Sequence, residues 1–185
     1  MPISWNEIRS RAVAFSKEWE HEEREHAEAK TFWDQFFNVF GLKRRNVAVF
    51  EEPVKRISGT YGFIDLFWKT VLLTEHKSRG RDLGKAHSQA MDYIQDLHND
   101  GRRDECPRYI IVSDFARIAL HDLDDDSSIE FTLPEFQDHV HCFGFIPGYK
   151  QPKLKSEDPI NIKAVEIMGD LRDELEKRRI HWTFS

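Results

Sequence analysis

The chain reads as an α/β protein: a mixed sheet covered on both sides by helices. Three observations predict this class. An amphipathic helical stretch comes first, three short alternating strands follow it, and a second amphipathic helix then leads into a nearly continuous apolar strand at 109–112. A strand that apolar belongs inside a sheet with both faces covered.

Taken in order, residues 5–40 read as helix, broken near Ser16. In its strongest part, 22–40, Ala29, Phe32, Trp33, Phe36, Phe37 and Phe40 recur at three- and four-residue steps and draw an apolar stripe. Gly41 stops it. Segments 47–54, 61–68 and 71–77 alternate and are rich in β-branched and aromatic residues, with Ser58-Gly59 and Lys69-Thr70 as punctuation. The last two read as a tight hairpin. Residues 82–98 form the second helix, capped at Asp82, with Leu83, Ala86, Ala90, Tyr93, Ile94 and Leu97 on one side. A strand at 116–120 pairs with 109–112, the acid-rich 122–128 is expected to be a solvated loop, and 134–139 a short helix. His139, His141 and Cys142 raise a zinc reading, but neighbours on one strand do not complete the four-ligand set of a structural site.

Domain organisation follows from composition. Residues 1–150 form the compact part, 151–158 read as a linker, and 159–185 open with an amphipathic helix carrying Ile162, Val165, Ile167, Met168, Leu171 and Leu175. The 185 residues suit one domain with an extension. Hydrophobic residues at 39% and charged residues at 32% exclude a disordered tail and a membrane protein. No apolar run reaches the roughly 20 residues a bilayer demands, and the start has no signal-peptide order. A cytoplasmic protein without a membrane partner is expected. Cys106 and Cys142 lack C-x-x-C spacing, so no disulfide framework is indicated. The net charge of −6 opposes bulk attraction to nucleic acid, although basic residues cluster at 43–45, at Lys77, Arg79 and Arg81, and at 102–103.

The chemistry concentrates in Gly62-Phe-Ile-Asp65 and Glu75-His76-Lys77. Strand side chains alternate, so Glu75 and Lys77 share a face. Folding the hairpin at Lys69-Thr70 brings Glu75 back beside Asp65, with a bend or bulge adjusting the register. Two carboxylates and an ammonium on an apolar sheet are costly to bury, and a divalent cation bridging carboxylates is a common solution. Hard oxygen ligands suit Mg2+, for which Mn2+ substitutes. Arg79 and Arg81, just beyond, are candidates for contact with a DNA backbone.

Asp65 followed by Glu75-His76-Lys77 resembles the D…E-x-K core of the PD-(D/E)XK nucleases, and the element order resembles their αβββαβ core. Ile64 stands where that motif often has proline. The resemblance implies that the His76 backbone carbonyl joins Asp65 and Glu75 at the metal, while its imidazole points to the opposite face. Gln89 and Tyr93 are similar to the Q-x-x-x-Y pattern of RecB-like nucleases, in which the glutamine reaches the active site. On the first helix Glu25 or Glu28 could supply an extra carboxylate, and Glu25 is favoured.

A narrower resemblance covers residues 20–150. The blocks beginning Phe32-Trp33, Phe50-Glu51-Glu52-Pro53, Gly62-Phe-Ile-Asp65, Glu75-His76-Lys77-Ser78-Arg79, Tyr109-Ile-Ile-Val-Ser-Asp114 and His141-Cys-Phe-Gly resemble the amino-terminal nuclease region of MmeI-type single-chain restriction-modification enzymes. It implies an endonuclease acting on double-stranded DNA in defence against phage. It also implies a longer parent polypeptide with a methyltransferase, which would use S-adenosylmethionine, and a target recognition domain. Two alternatives share part of the pattern: a free-standing RecB-like repair or defence nuclease, and a catalytically silent DNA-binding or scaffolding module.

Overall fold

A computed structural model describes residues 3–22 and 25–149; the side chains of Glu25 and His26 are not among what is described. The expected linker and terminal helix, 151–185, lie outside these residues.

The predicted first helix is two. α1 (Trp5–Trp19) is capped by the Ser4 hydroxyl, which accepts from the Glu7 amide, and α2 (Glu25–Val39) follows after a break. The break falls after Trp19, not at Ser16. Ser16 stays helical because its hydroxyl donates 2.7 Å to the Leu133 carbonyl on a neighbouring segment, which satisfies it without disturbing the helix.

Six strands form one sheet in the order β1 (Val49–Lys55), β2 (Tyr61–Trp68), β3 (Leu72–His76), β4 (Tyr109–Ser113), β5 (Arg117–Asp122) and β6 (Ser127–Thr132). Only β3 and β4 run parallel, joined through α3 (Leu83–Asn99), whose cap is Asp82 as expected. The other pairs are antiparallel. The sheet is therefore mixed.

The acid-rich stretch 122–128 needs correction. β5 continues through Asp122, which is 4% exposed and held by Arg108 through bonds of 2.9 and 2.7 Å, and β6 starts at Ser127. The turn between them is solvated, with Asp126 at φ 48°. The run of aspartates hid a hairpin turn because charge marks exposure and not chain direction. A 3-10 turn and the short helix α4 (Phe136–His139) follow β6. The segment of His141 and Cys142, expected on a strand, is a further helical turn; His139 stacks on Phe131 and His141 packs on Trp5.

Each sheet face has its own core. On one, α1, α2 and α4 pack Phe15, Trp19, Phe32, Trp33, Phe36 and Phe136 over Leu66, Leu72, Ile111 and Leu120. On the other, α3 sets Leu83, Ala86, Ala90 and Leu97 against Ile64, Phe67, Leu73, Ile110 and Val112. Also on this side, His87 stacks on His121 with ring centroids 3.9 Å apart. Burial and then the neighbouring His87 hold His121 down to about 4. No helix among the described residues is long and apolar enough to cross a membrane.

Candidate active site

The β2–β3 hairpin forms as predicted, with Trp68 opposite Leu72 and Thr70 taking the positive φ that the turn requires. Its ladder reaches Leu66 opposite Thr74, and one further step of the same register sets Asp65 beside Glu75. There the strands part. Asp65 closes the ladder with its side chain, its Oδ2 accepting from the His76 amide at 2.7 Å.

The irregularity expected near the site lies between β1 and β2. Phe50 pairs with Leu66 and Glu52 with Ile64, but Glu51, at φ 53°, and Asp65 are skipped. Facing changes there on both strands: Phe50 and Leu66 join the α2-side core, whereas Val54 and Ile64 join the α3-side core. A non-glycine residue in the left-handed region costs on the order of 1–2 kcal/mol, a strain typical of functional positions.

Glu75 and Lys77 share the α3 face. Lys77 Nζ donates 2.6 Å to Glu75 Oε1 and 2.9 Å to Gln89 Oε1 on α3, and Gln89 Nε2 donates to the Tyr93 hydroxyl at 3.4 Å. Glu75 is 2% exposed, so its charge is carried inside the fold. Gly62 makes room for this row. A Cβ there would come within 2.7 Å of both the Tyr93 ring and the Arg56 side chain, which lies over that ring.

His76 turns its imidazole to the opposite face, packed by Phe115 at 4.2 Å, Phe32 at 5.1 Å and Trp33 at 5.8 Å. Burial pushes it down to about 3, which keeps the ring neutral at physiological pH. Glu25 begins α2, but its side chain lies outside what is described.

The two arginines part company. Arg79 donates to the carbonyls of Glu22 at 2.9 Å, Trp19 at 3.2 Å and Glu20 at 2.7 Å, so it ties the loop after Lys77 to the end of α1. Arg81 is exposed. Two residues that the sequence did not single out complete the loop. Asp114, fully buried, accepts from the Gly80 amide and from Arg117, while Arg117 Nη2 donates 2.7 Å to the Arg81 carbonyl. A buried aspartate two residues past an apolar strand, with an arginine three further on, was the available signal.

The donor set tests the metal. Asp65 and Glu75 are hard oxygen donors, and together they outnumber the single ammonium of Lys77 by one charge. That suits Mg2+, which is commonly held by one or two carboxylates and keeps several waters. Among the described residues no group of three or more His, Cys, Asp or Glu side chains is placed to hold a metal ion.

Fold and site together define an α/β domain whose mixed sheet carries two carboxylates and a lysine where an antiparallel hairpin opens. The chain belongs to the family described as MmeI, N-terminal domain, whose match runs over residues 10–178. This agrees with the resemblance read from residues 20–150. Among solved structures, the fold is similar to one chain of a cryo-EM structure of a DrdV–DNA complex, with a TM-score of 0.50 and 14% identity. The match covers 78% of this chain and 14% of that one, so the present sequence corresponds to a small part of its length. No curated protein matches the sequence.

Proposed function

We propose that this domain is a Mg2+-dependent DNA endonuclease of the PD-(D/E)XK type, the cleavage module of a restriction-modification enzyme acting in the cytoplasm. The observation that carries the reading is the hydrogen-bonded row Glu75–Lys77–Gln89 at the point where β2 and β3 separate, with Asp65 bonded to the intervening His76 amide. Membership of the MmeI N-terminal family supports the restriction-modification setting, and the DNA in the DrdV complex supports the choice of substrate.

In this mechanism Asp65, Glu75 and the His76 carbonyl would hold the cation, with Glu25 as a further carboxylate. Bound Mg2+ supplies polarisation of a phosphate oxygen and a water of lowered pKa. Glu75 and Gln89 fix the Lys77 ammonium, which holds the attacking water and offsets the charge that builds on the phosphate. Tyr93 orients Gln89. The water oxygen bonds to phosphorus as the bond to the leaving sugar oxygen breaks, and the proton that the water gives up to solvent is balanced by one that the leaving oxygen takes from it. Target selection and methylation, the latter with S-adenosylmethionine, belong to other parts of the parent polypeptide in this reading.

Plasmid incubated with Mg2+ tests it. The wild-type chain is expected to nick or linearise DNA, and Asp65→Ala and Lys77→Ala each to lose on the order of 10²-fold or more. Equal behaviour of all three proteins sinks the catalytic reading.

A further inference from the structure

β2 outruns β3. Residues 61–64 pair with β1 alone, so β1 and β2 form a two-stranded ribbon that projects from the sheet on the side where Asp65 sits. One face of this ribbon rests on α3 through Val54, Gly62 and Ile64. Among the described residues the other is left open: Phe63 is 55% exposed, Tyr61 64% and Ile57, at the tip, 79%. Scattered surface apolar residues need no explanation, but three on one short ribbon do.

Charge distinguishes the possible partners. The ribbon's two carboxylates each have a cation partner within the molecule, Glu51 at the surface with Lys30 at 3.0 Å and half-buried Glu52 with Arg102. From Pro53 to Phe63 the sequence carries Lys55 and Arg56 and no acid, on a chain whose net charge is −6. Lys55 lies opposite Tyr61 in the register and is exposed. A positive, aromatic ribbon on an acidic protein fits a polyanion with stacking faces. A two-stranded ribbon also has the dimensions of a duplex groove. At about 3.4 Å per residue, Tyr61 lies roughly 14 Å along the strand from Asp65, a reach of about four base pairs.

We infer that the β1–β2 ribbon is a DNA-engaging arm, which seats duplex DNA against the Asp65 site through Tyr61, Phe63 and Lys55. The choice of ligand rests on the nuclease reading. Tyr61 and Phe63 supply apolar contact to bases or sugars within the groove, and Lys55 neutralises a phosphate. The Arg56–Tyr93 stack anchors the turn end of the ribbon to the helix that bears Gln89.

The test is duplex binding by the whole chain at low salt, in EDTA so that nothing is cleaved, read as fluorescence anisotropy of a labelled 30-base-pair duplex. Tyr61→Ser/Phe63→Ser is expected to weaken binding about ten-fold or more, and Lys55→Ala to lower the salt slope by about one. All three residues are exposed, so the variants keep the fold, which circular dichroism verifies. Unchanged affinity in the double variant, or no duplex binding by the wild type, overturns the inference. So does a wild-type dimer that the double variant dissociates while DNA binding persists, since the face then belongs to a second copy. The two readings fail separately. Ribbon-dependent binding with cleavage indifferent to Asp65→Ala ends the nuclease and keeps the arm, and the converse result ends the arm and keeps the nuclease.

Discussion

β3 and β4 lie side by side, parallel, five residues each and buried at every position. β4 is Tyr-Ile-Ile-Val-Ser, whereas β3 is Leu-Leu-Thr-Glu-His. Where Ile110 and Val112 meet α3 with hydrocarbon, β3 presents Leu73 and then Glu75 to the same side. β4 is what a central strand becomes when packing is its whole task. The departures in β3 place a carboxylate in the core, a placement that is costly unless paired, and Glu75 is paired with Lys77, which also bonds Gln89. The difference separates residues kept for the core from residues kept for chemistry.

The comparison can be pressed hardest by making β3 resemble β4. In Glu75→Leu/Lys77→Met, cleavage is expected to disappear while urea unfolding shows a gain of about 1–4 kcal/mol, as when a buried ion pair gives way to well-packed apolar groups. A loss of stability would mean that the pair contributes to the fold in its own right. The reverse substitution in β4, Ile111→Ala, is expected to cost about 2–5 kcal/mol while cleavage per folded molecule stays unchanged. If specific activity falls with it, the two strands are not separable.

On the next strand, β5, the effect is a pH dependence. His121 sits at about 4 in the folded protein against an ordinary 6.5, so the unfolded chain takes up the proton first. Stability from this residue is therefore complete above pH 6.5, declines as pH falls towards 4, and changes no further below it. His121→Phe should flatten part of that decline in the urea midpoint. An unchanged profile would show that His121 plays no part in it.

The smallest effects sharpen the contrast between two basic residues in one loop. Arg79→Ala is expected to cost about 1–2 kcal/mol through lost bonds to α1 carbonyls. Arg81→Ala should leave stability within about 0.5 kcal/mol and lower the salt slope of DNA binding by about one. If the arginines exchange these behaviours, the anchoring assigned to Arg79 is wrong.

Much of this molecule was legible before its structure. Alternation placed β2 at 61–68 and set Glu75 and Lys77 on one face, because a strand's period of two leaves no choice. Phenylalanine spacing marked α2, and Asp82 marked the start of α3. Less visible was anything that depends on a partner far along the chain. Ser16 looked like a helix break until Leu133 supplied an acceptor. Asp122 looked solvated until Arg108 enclosed it. Arg79 looked like a phosphate contact, and its guanidinium meets the end of α1.

By itself the sequence determined the α/β class and most of the elements through β5, and it nominated the three residues on which the proposed chemistry depends, since local periodicity and residue type carry that information. The tertiary structure alone decided that Asp65 caps the His76 amide, that Asp114 and Arg117 secure the loop, and that one face of the β1–β2 ribbon stays open among the described residues. Those outcomes follow from which strands run on after their neighbours stop and which helices cover them. Such contacts join residues from 11 to 36 positions apart, and no local pattern encodes them.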